Sequence, residues 1–300
     1  ELRQRAGIED TPIANAFFDV LVAFGIVNMR NGGLVLSDTS QSVLPVYDSV
    51  KSWNKEMRLF YDSLCDLTGM LKTGRYQDSA LADYWAYTKV PERKSLDVSA
   101  VKDYSSVMDA SQIQLSRAIA DHYDFGSHEH VIDFGGGYGR LAVTLAERYS
   151  RLKVTIADLP AVCEGARAQI DEAGLGTRIH LLPVDFLCDA LPKSAADAML
   201  FVRVMHDWED DKVEELMRRT RSCLRGSGTA VVVEPMNDDT VALTPSSVVT
   251  SLMLALFGGR RRSVQDYINL FRSAGYAEVS WRDCGLSLYK MVVARLPGDD

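Results

Sequence analysis

An α/β fold with a largely parallel sheet, preceded by a smaller and mostly helical domain, is predicted by three features of this 300-residue sequence. From about residue 130, short apolar stretches alternate with amphipathic ones, the pattern of strands and crossover helices in a sheet covered on both faces. A glycine-rich turn, Gly135-Gly136-Gly137-Tyr138-Gly139, joins the first of these strands to its helix. The chain closes on two strands separated only by a tight turn at Cys284-Gly285, so these two must run antiparallel.

The elements follow in order. Thr11 as N-cap and Pro12 at the first helical position open an amphipathic helix that reaches toward Val27, with Ile13, Ala16, Phe17, Val20, Leu21 and Phe24 on one side. Gly25 ends it. Ile26–Met29 and Gly33–Leu36, joined by Asn31-Gly32, read as a hairpin. Helix and hairpin together form a winged-helix pattern, but residues 1–40 carry little excess positive charge, which favours a structural or dimerisation module over a DNA reader. Residues 46–95 are rich in Tyr, Trp and Met, and Met57, Phe60, Tyr61, Leu64 and Leu67 share a helical face. The change of character near residue 95 divides the chain into domains 1–95 and 96–300. In the second, strands are expected at 131–134, 153–157, 179–184, 198–204, 229–234, 278–283 and 287–295, with helices at 139–149, 160–173, 209–224, 246–257 and 263–274.

Composition limits the function. A net charge of −8 opposes general affinity for nucleic acid or anionic membrane, and no apolar run has the length of a membrane span. The five cysteines are scattered, with no C-x-x-C pair, which fits a reduced cytoplasmic protein better than a disulfide scaffold or a zinc site. There is no signal-peptide pattern at Glu1, and the start is expected to be processed or truncated.

The strongest motif is Asp133-Phe134-Gly135-Gly136-Gly137-Tyr138-Gly139. Its spacing, D-x-G-x-G-x-G, differs from the G-x-G-x-x-G of a dinucleotide loop. A carboxylate ending the strand would repel a pyrophosphate and suits a cation. A nucleoside with a cationic tail and no phosphates fits this loop, and S-adenosylmethionine has that form.

Ligands of such sheets sit beyond the carboxyl ends of the strands. The polar residues at those ends are Asp133, Asp158, Asp185, then Arg203, His206 and Asp207, and finally Glu234. Asp158 lies at the distance from Asp133 where an acidic residue accepts hydrogen bonds from ribose, although it also suits a helix N-cap before Leu159-Pro160. Asp185-Phe186 offers a carboxylate and an aromatic face to an adenine. A lone histidine is usually structural, but His206 follows the fourth strand on the ligand side and titrates in the range a general base needs. Glu234 is placed to fix its tautomer; Asp207 either shares that task or caps the helix that follows.

With these residues in hand, the sequence resembles the class I S-adenosylmethionine-dependent methyltransferases, and within them the small-molecule O-methyltransferases with a winged-helix-like dimerisation domain. The resemblance rests on the glycine motif, Ala157-Asp158-Leu159-Pro160, Asp185-Phe186, His206-Asp207-Trp208, Val233-Glu234-Pro235, and Gly258-Gly259 before Arg260-Arg261-Arg262-Ser263. It implies a Rossmann-like seven-stranded sheet with its last strand antiparallel and a homodimer, although the family's interlocking N-terminal helices are mostly missing from this sequence. It also implies that Gly135, Gly136 and Gly137 cradle the methionine part of the cofactor, that Asp158 binds ribose, and that Asp185 and Phe186 flank the adenine. His206 would be the base and Glu234 would orient it. Leu159 and Arg203 are counted with the cofactor site, and Met108, Met205, Met236 and Met253 with the acceptor, which is expected to be a small aromatic metabolite.

Two departures stand out. Where the family often carries a second supporting Glu there is Arg261, and the family's His near Ser111 is absent. Arg261 turned into the pocket would favour an acceptor with a carboxylate; the alternative is that Arg260, Arg261 and Arg262 form a solvated loop. Other readings stay open: C-methylation of an activated carbon next to a ketone, a hydroxylase or pericyclase that keeps the cofactor, and a ligand-sensing winged-helix regulator. No histidine follows His206, so a His-pair metal site there is excluded, whereas a single His with carboxylates is not; no metal is expected.

Overall fold

The structure is a computed structural model that describes residues 7–44, 61, 65, 67–73, 87, 90–236, 251–252, 254–255 and 259–298. The chain divides into two compact units, Glu1–Ser52 and Trp53–Asp300. The boundary between the units lies before the change in sequence character near residue 95.

In the first unit, α1 (Pro12–Ala23) starts where Thr11 and Pro12 predict, the Thr11 side chain accepting from Ala14 N–H at 3.2 Å. It stops four residues short of the expected end, because Gly25 takes a positive φ of 65° and the chain turns there. β1 (Val27–Arg30) and β2 (Gly33–Leu36) pair antiparallel, with Asn31 and Gly32 at positive φ in the connecting turn. A short helix, α2 (Asp38–Val43), follows, capped by Ser37.

The second unit opens, among its described residues, with α3 (Leu67–Thr73) and the long α4 (Val98–His122), the latter capped by Asp97. Then come β3 (His130–Phe134), α5 (Arg140–Arg148), β4 (Lys153–Asp158), α6 (Pro160–Glu172), β5 (Ile179–Pro183), β6 (Ala196–Val202), α7 (Asp210–Arg221), β7 (Leu224–Pro235), α8 (Val264–Ser273), β8 (Glu278–Asp283) and β9 (Tyr289–Arg295). All seven expected strands are present. The fourth ends at Val202, earlier than predicted, because Arg203 takes a left-handed φ of 57° and breaks the extended run. The fifth is longer, extending back to Leu224. Of the helix expected at 246–257, residues 251, 252, 254 and 255 are described and helical; the others lie outside the described residues.

The sheet order is β5-β4-β3-β6-β7-β9-β8. β3 to β7 run parallel, and β9 pairs antiparallel with both β7 and β8. The chain builds outward from β3 to β5 and then returns to β6 on the other side of β3. This reversal opens a crevice at the strands' carboxyl ends. Side-chain alternation explains the two cores. Val131, Val154, Ile156, Leu200 and Val231 pack on one face with α4 and α5 residues, while Ile132, Phe134, Phe201 and Val232 pack on the other with α7 and α8 residues. Phe134 and Phe201 stack 5.2 Å apart in that second core; truncating either to Ala removes about 3–5 kcal/mol of stability. Among the described residues no helix is long and apolar enough to cross a membrane.

Candidate active site

One cavity, roughly 1040 Å³ including space open to solvent, lies at the crevice and is lined by the ends of β3, β4 and β6, the start of α5 and residues of α4. Its floor is the glycine loop. Gly135 and Gly137 take positive φ, which side-chain-bearing residues rarely adopt. A Cβ on Gly135 would lie 2.6 Å from Val204, and one on Gly136 would lie 2.7 Å from the Asp133 carboxylate. At these two positions a side chain would strike the protein itself, and only at Gly137, with nothing within 4 Å, would it enter open space.

Two carboxylates sit beneath this loop. Asp158 accepts from Gly137 N–H at 2.8 Å and from Leu159 N–H at 2.7 Å. It pins the loop rather than capping α6, whose N-cap is Leu159 with no side-chain cap bond. Burial raises Asp158 to about 6, against the lowering effect of those two N–H bonds. Burial, with Asp158 nearby, raises Asp133 to about 8. Two acids whose charged forms are disfavoured in this way make a site that gains from a cation.

The far side of this part of the cavity is formed by Asp185, Phe186 and Leu187. Asp185 is not free to face a ligand with both oxygens: Arg93 Nη1 donates to one at 3.0 Å and Leu187 N–H to the other at 3.1 Å. Arg93 also donates to the Tyr87 carbonyl and lies over the Trp208 ring at 5.2 Å. Arg203 lines the cavity too, its guanidinium donating to Ser111 Oγ and to the Met108 carbonyl of α4.

The second wall is the turn Met205–Asp207 and Trp208. His206 is buried, and its Nδ1 is hydrogen-bonded to Glu234 Oε2. The other oxygen of Glu234 accepts from the N–H groups of Val204 and Met205, each at 2.8 Å, so the carboxylate is fixed by the turn it supports. His206 Nε2 faces Asp207 Oδ1 at 3.2 Å. Burial alone would push His206 down, but Glu234 and Asp207 outweigh it and raise it to about 10. Asp207 does not cap α7, whose N-cap is Glu209. It lines the cavity, whereas His206 stands behind it.

The turn is held from below by Arg262, which is 1% exposed. Its guanidinium donates to the carbonyls of Met205 and Trp208 at 2.8 and 2.7 Å and to Asp210 at 2.8 Å. Gly259 packs directly on the turn: a Cβ there would lie 2.5 Å from the His206 carbonyl oxygen, which accepts from Arg260 N–H at 2.7 Å. The three arginines are thus not one solvated loop. Arg260 is exposed, Arg261 half-buried and Arg262 enclosed.

The expectation for the acceptor side needs correcting. Met108 lines the cavity. Met205 and Met236 are core residues, 0% and 1% exposed, in the cluster that holds Phe201, Tyr267 and Phe271. A residue next to a strand end can turn toward the ligand or under the sheet, and these two turn under it. Arg261 is absent from the lining and donates to the Met236 carbonyl at 2.6 Å. Met253 lies outside the described residues. The sequence reading missed Tyr87, Arg93, Tyr104, Gln112, Tyr138 and Arg140, all of which line the cavity. Among the described residues no group of three or more His, Cys, Asp or Glu side chains is gathered to hold a metal.

The family model of the O-methyltransferase domain matches residues 70–277, more than half of the chain. The chain belongs to this O-methyltransferase family. The mitomycin biosynthesis 6-O-methyltransferase of Streptomyces lavendulae is 29% identical over 66% of this chain and 56% of its own length. An aclacinomycin 10-hydroxylase of Streptomyces purpurascens is 29% identical over 73% of this chain and 58% of its own. The chain therefore spans little more than half the length of these curated relatives. The crystal structure of human N-acetylserotonin methyltransferase, solved in complex with S-adenosylmethionine, superposes with a TM-score of 0.79 at 21% identity, over 97% of this chain and 85% of that one. That likeness is one of fold; in this chain the glycine loop and the turn after β6 meet where the strand order reverses.

Proposed function

We propose that the chain transfers a methyl group from S-adenosylmethionine to a hydroxyl of a small aromatic acceptor. The observation that carries this reading is one cavity with two different walls: a bare glycine loop over two buried carboxylates, and a histidine backed by Glu234 behind Asp207.

The residues present fit the cofactor. A Cβ at Gly137 would enter the open space beside the loop, and Asp133 and Asp158 are held in environments that favour a positively charged partner. When bound, S-adenosylmethionine supplies an electrophilic methyl on a sulfonium, which leaves as a neutral thioether. Gly135, Gly136 and Gly137 let the backbone approach, and Asp158 keeps the loop closed while offering itself to a ribose. Phe186 gives an adenine an apolar face. Tyr87, Tyr104 and Trp208 supply aromatic surface near Asp207, which suits a planar acceptor. The acceptor hydroxyl loses its proton to the His206–Asp207 pair as its oxygen attacks. The reacting form has His206 neutral: Asp207 meets the hydroxyl from the cavity side and passes its proton to His206 Nε2, and the imidazolium so formed is held by Glu234 and Asp207. Alignment in a dry pocket does the rest.

A second reading, hydroxylation with the cofactor retained, is favoured by the similarity to the aclacinomycin hydroxylase. One experiment separates the two. The protein is incubated with methyl-labelled S-adenosylmethionine and a panel of phenols, hydroxylated aromatic acids and α-keto acids. Label recovered as an O-methyl ether supports the proposal, label on carbon points to C-methylation, and tight cofactor binding with no transfer to any acceptor points to the non-methylating relative.

We also propose that the chain self-associates through its first unit. Ile13 and Phe24 of the α1 region are each 80% exposed, and Phe17 is 54% exposed. A helix face this apolar is a surface that another chain covers. Light scattering that reports a monomer at micromolar concentration contradicts this.

A further inference from the structure

Tyr87 belongs to no motif, yet its hydroxyl reaches the catalytic turn from 120 residues away in sequence, donating to Asp207 Oδ2 at 2.7 Å. Tyr104 of α4 lies 3.1 Å from the same hydroxyl; since Tyr87 has one proton and gives it to Asp207, Tyr104 is the donor in that second bond. The two rings pack 5.4 Å apart, and Tyr87 also packs on Trp208 at 6.4 Å. Arg93 holds the carbonyl of Tyr87 while its Nη1 holds Asp185. The Tyr87 phenol is therefore fixed at both ends: by its backbone to the cofactor side of the cavity and by its hydroxyl to the acceptor side.

Resting on the methyl-transfer reading above, we propose that Tyr87 is a positioning residue that sets the basicity of His206 through Asp207. Asp207 has two oxygens and two partners, His206 on Oδ1 and Tyr87 on Oδ2. A donated hydrogen bond disperses charge on the carboxylate, so Asp207 holds the Nε2 proton of His206 less firmly than a bare carboxylate would. Tyr104, by donating to Tyr87, makes Tyr87 the better donor. The relay thus offsets part of the pull that two carboxylates exert on one imidazole and brings His206 closer to releasing its proton. Tyr87 and Tyr104 also line the cavity, so an acceptor that displaces Tyr87 from Asp207 exchanges one phenol for another.

The other groups that face this turn are held in fixed roles. Glu234 of β7 binds Nδ1 and two N–H groups of the turn, and Arg262 binds two of its carbonyls. Tyr267 of α8 is buried with Glu234, Arg262 and Asp207 in its electrostatic surroundings, and its hydroxyl is raised well above its ordinary value, so it stays neutral. Arg93 reaches Trp208 and Asp185.

The test is the titration of His206 by NMR of ¹⁵N-histidine protein, without cofactor or acceptor. It is run on wild type and Tyr87→Phe, and on the same pair carrying Glu234→Gln, in which loss of one charge brings the midpoint toward neutral pH. Loss of the Tyr87 hydroxyl raises the His206 midpoint by about one pH unit, the size of a lost hydrogen bond to a charged group. Tyr104→Phe moves it in the same direction by less, and serves as a second variant should Tyr87→Phe fold poorly. Where an acceptor is in hand, the rising limb of kcat/KM moves to higher pH with the NMR midpoint. Superimposable midpoints in the pair with and without the hydroxyl overturn the proposal. Because the titration needs no substrate, it stands or falls separately from the assay of methyl transfer itself.

Discussion

The two walls of the cavity are built in opposite ways. The cofactor wall is local: Asp133 to Gly139 is one continuous stretch, and Asp158 closes it from the next strand. Backbone conformation does most of the work there, and the charged groups are two acids whose pKa values burial raises. The wall at His206 is assembled from four distant segments: the turn after β6, Glu234 of β7, Arg262 before α8, and Tyr87. Side chains do the work there, and each carboxylate already has its partners. The difference teaches that binding and chemistry in this molecule respond to different perturbations and can be separated experimentally.

Among the residues that support the His206 turn, the largest effect is expected at Arg262. Arg262→Met leaves the carbonyls of Met205 and Trp208 without their donor and costs about 2–4 kcal/mol, visible as a lower urea midpoint; the half-exposed Asp210 keeps the value below that of a fully buried pair. An unchanged midpoint would mean that the His206 turn is held by its neighbours alone. Next is Gly135→Ala. The new Cβ meets Val204 at a residue held at positive φ, a strain of about 1–3 kcal/mol. Calorimetry should show S-adenosylmethionine affinity falling about tenfold or more, and an unaltered affinity would show that the loop is not its seat.

A pH series sharpens the comparison further. Asp133 and Asp158, raised to about 8 and about 6, bind protons that a cation displaces. Affinity for the sulfonium S-adenosylmethionine therefore rises from pH 6 to pH 8.5, by about tenfold for each unit by which binding lowers a carboxyl's pKa. S-adenosylhomocysteine, which lacks the sulfonium charge, gains less. Equal slopes for the two ligands would show that these acids do not sense the sulfonium. The smallest effect is expected at Arg261→Leu. If acidic acceptors lose affinity and neutral ones do not, Arg261 reaches the acceptor when it is bound; equal responses leave it as the partner of the Met236 carbonyl that the structure shows.

The same contrast decides what was legible in the sequence. Thr11-Pro12, the glycine loop and the closing strand pair are written in neighbouring residues, and the elements appear where these signals place them. Strand-end positions placed Asp158 in the cavity lining and His206 and Glu234 together behind Asp207, because parallel strands must deliver their carboxyl ends to one side. What stayed hidden depends on tertiary approach. No local pattern marks Tyr87 or Arg93, whose partners lie 120 and 92 residues away. The arginine run drew attention to Arg261, whereas the packing encloses Arg262. Met205 and Met236 were placed at the acceptor by proximity to strand ends, but backbone direction at those ends sent them into the core.

Replacement of His206 tests the division between the walls most directly. His206→Ala and wild type are compared in two measurements on the same preparations: S-adenosylmethionine affinity by calorimetry, and label transfer to the best acceptor found for wild type. Methyl transfer should fall by about 10²–10⁴-fold, the usual contribution of a positioned base, while cofactor affinity stays within about twofold. Full transfer in the variant would remove His206 from the chemistry, and a collapse of cofactor affinity would show that the two walls are not separate.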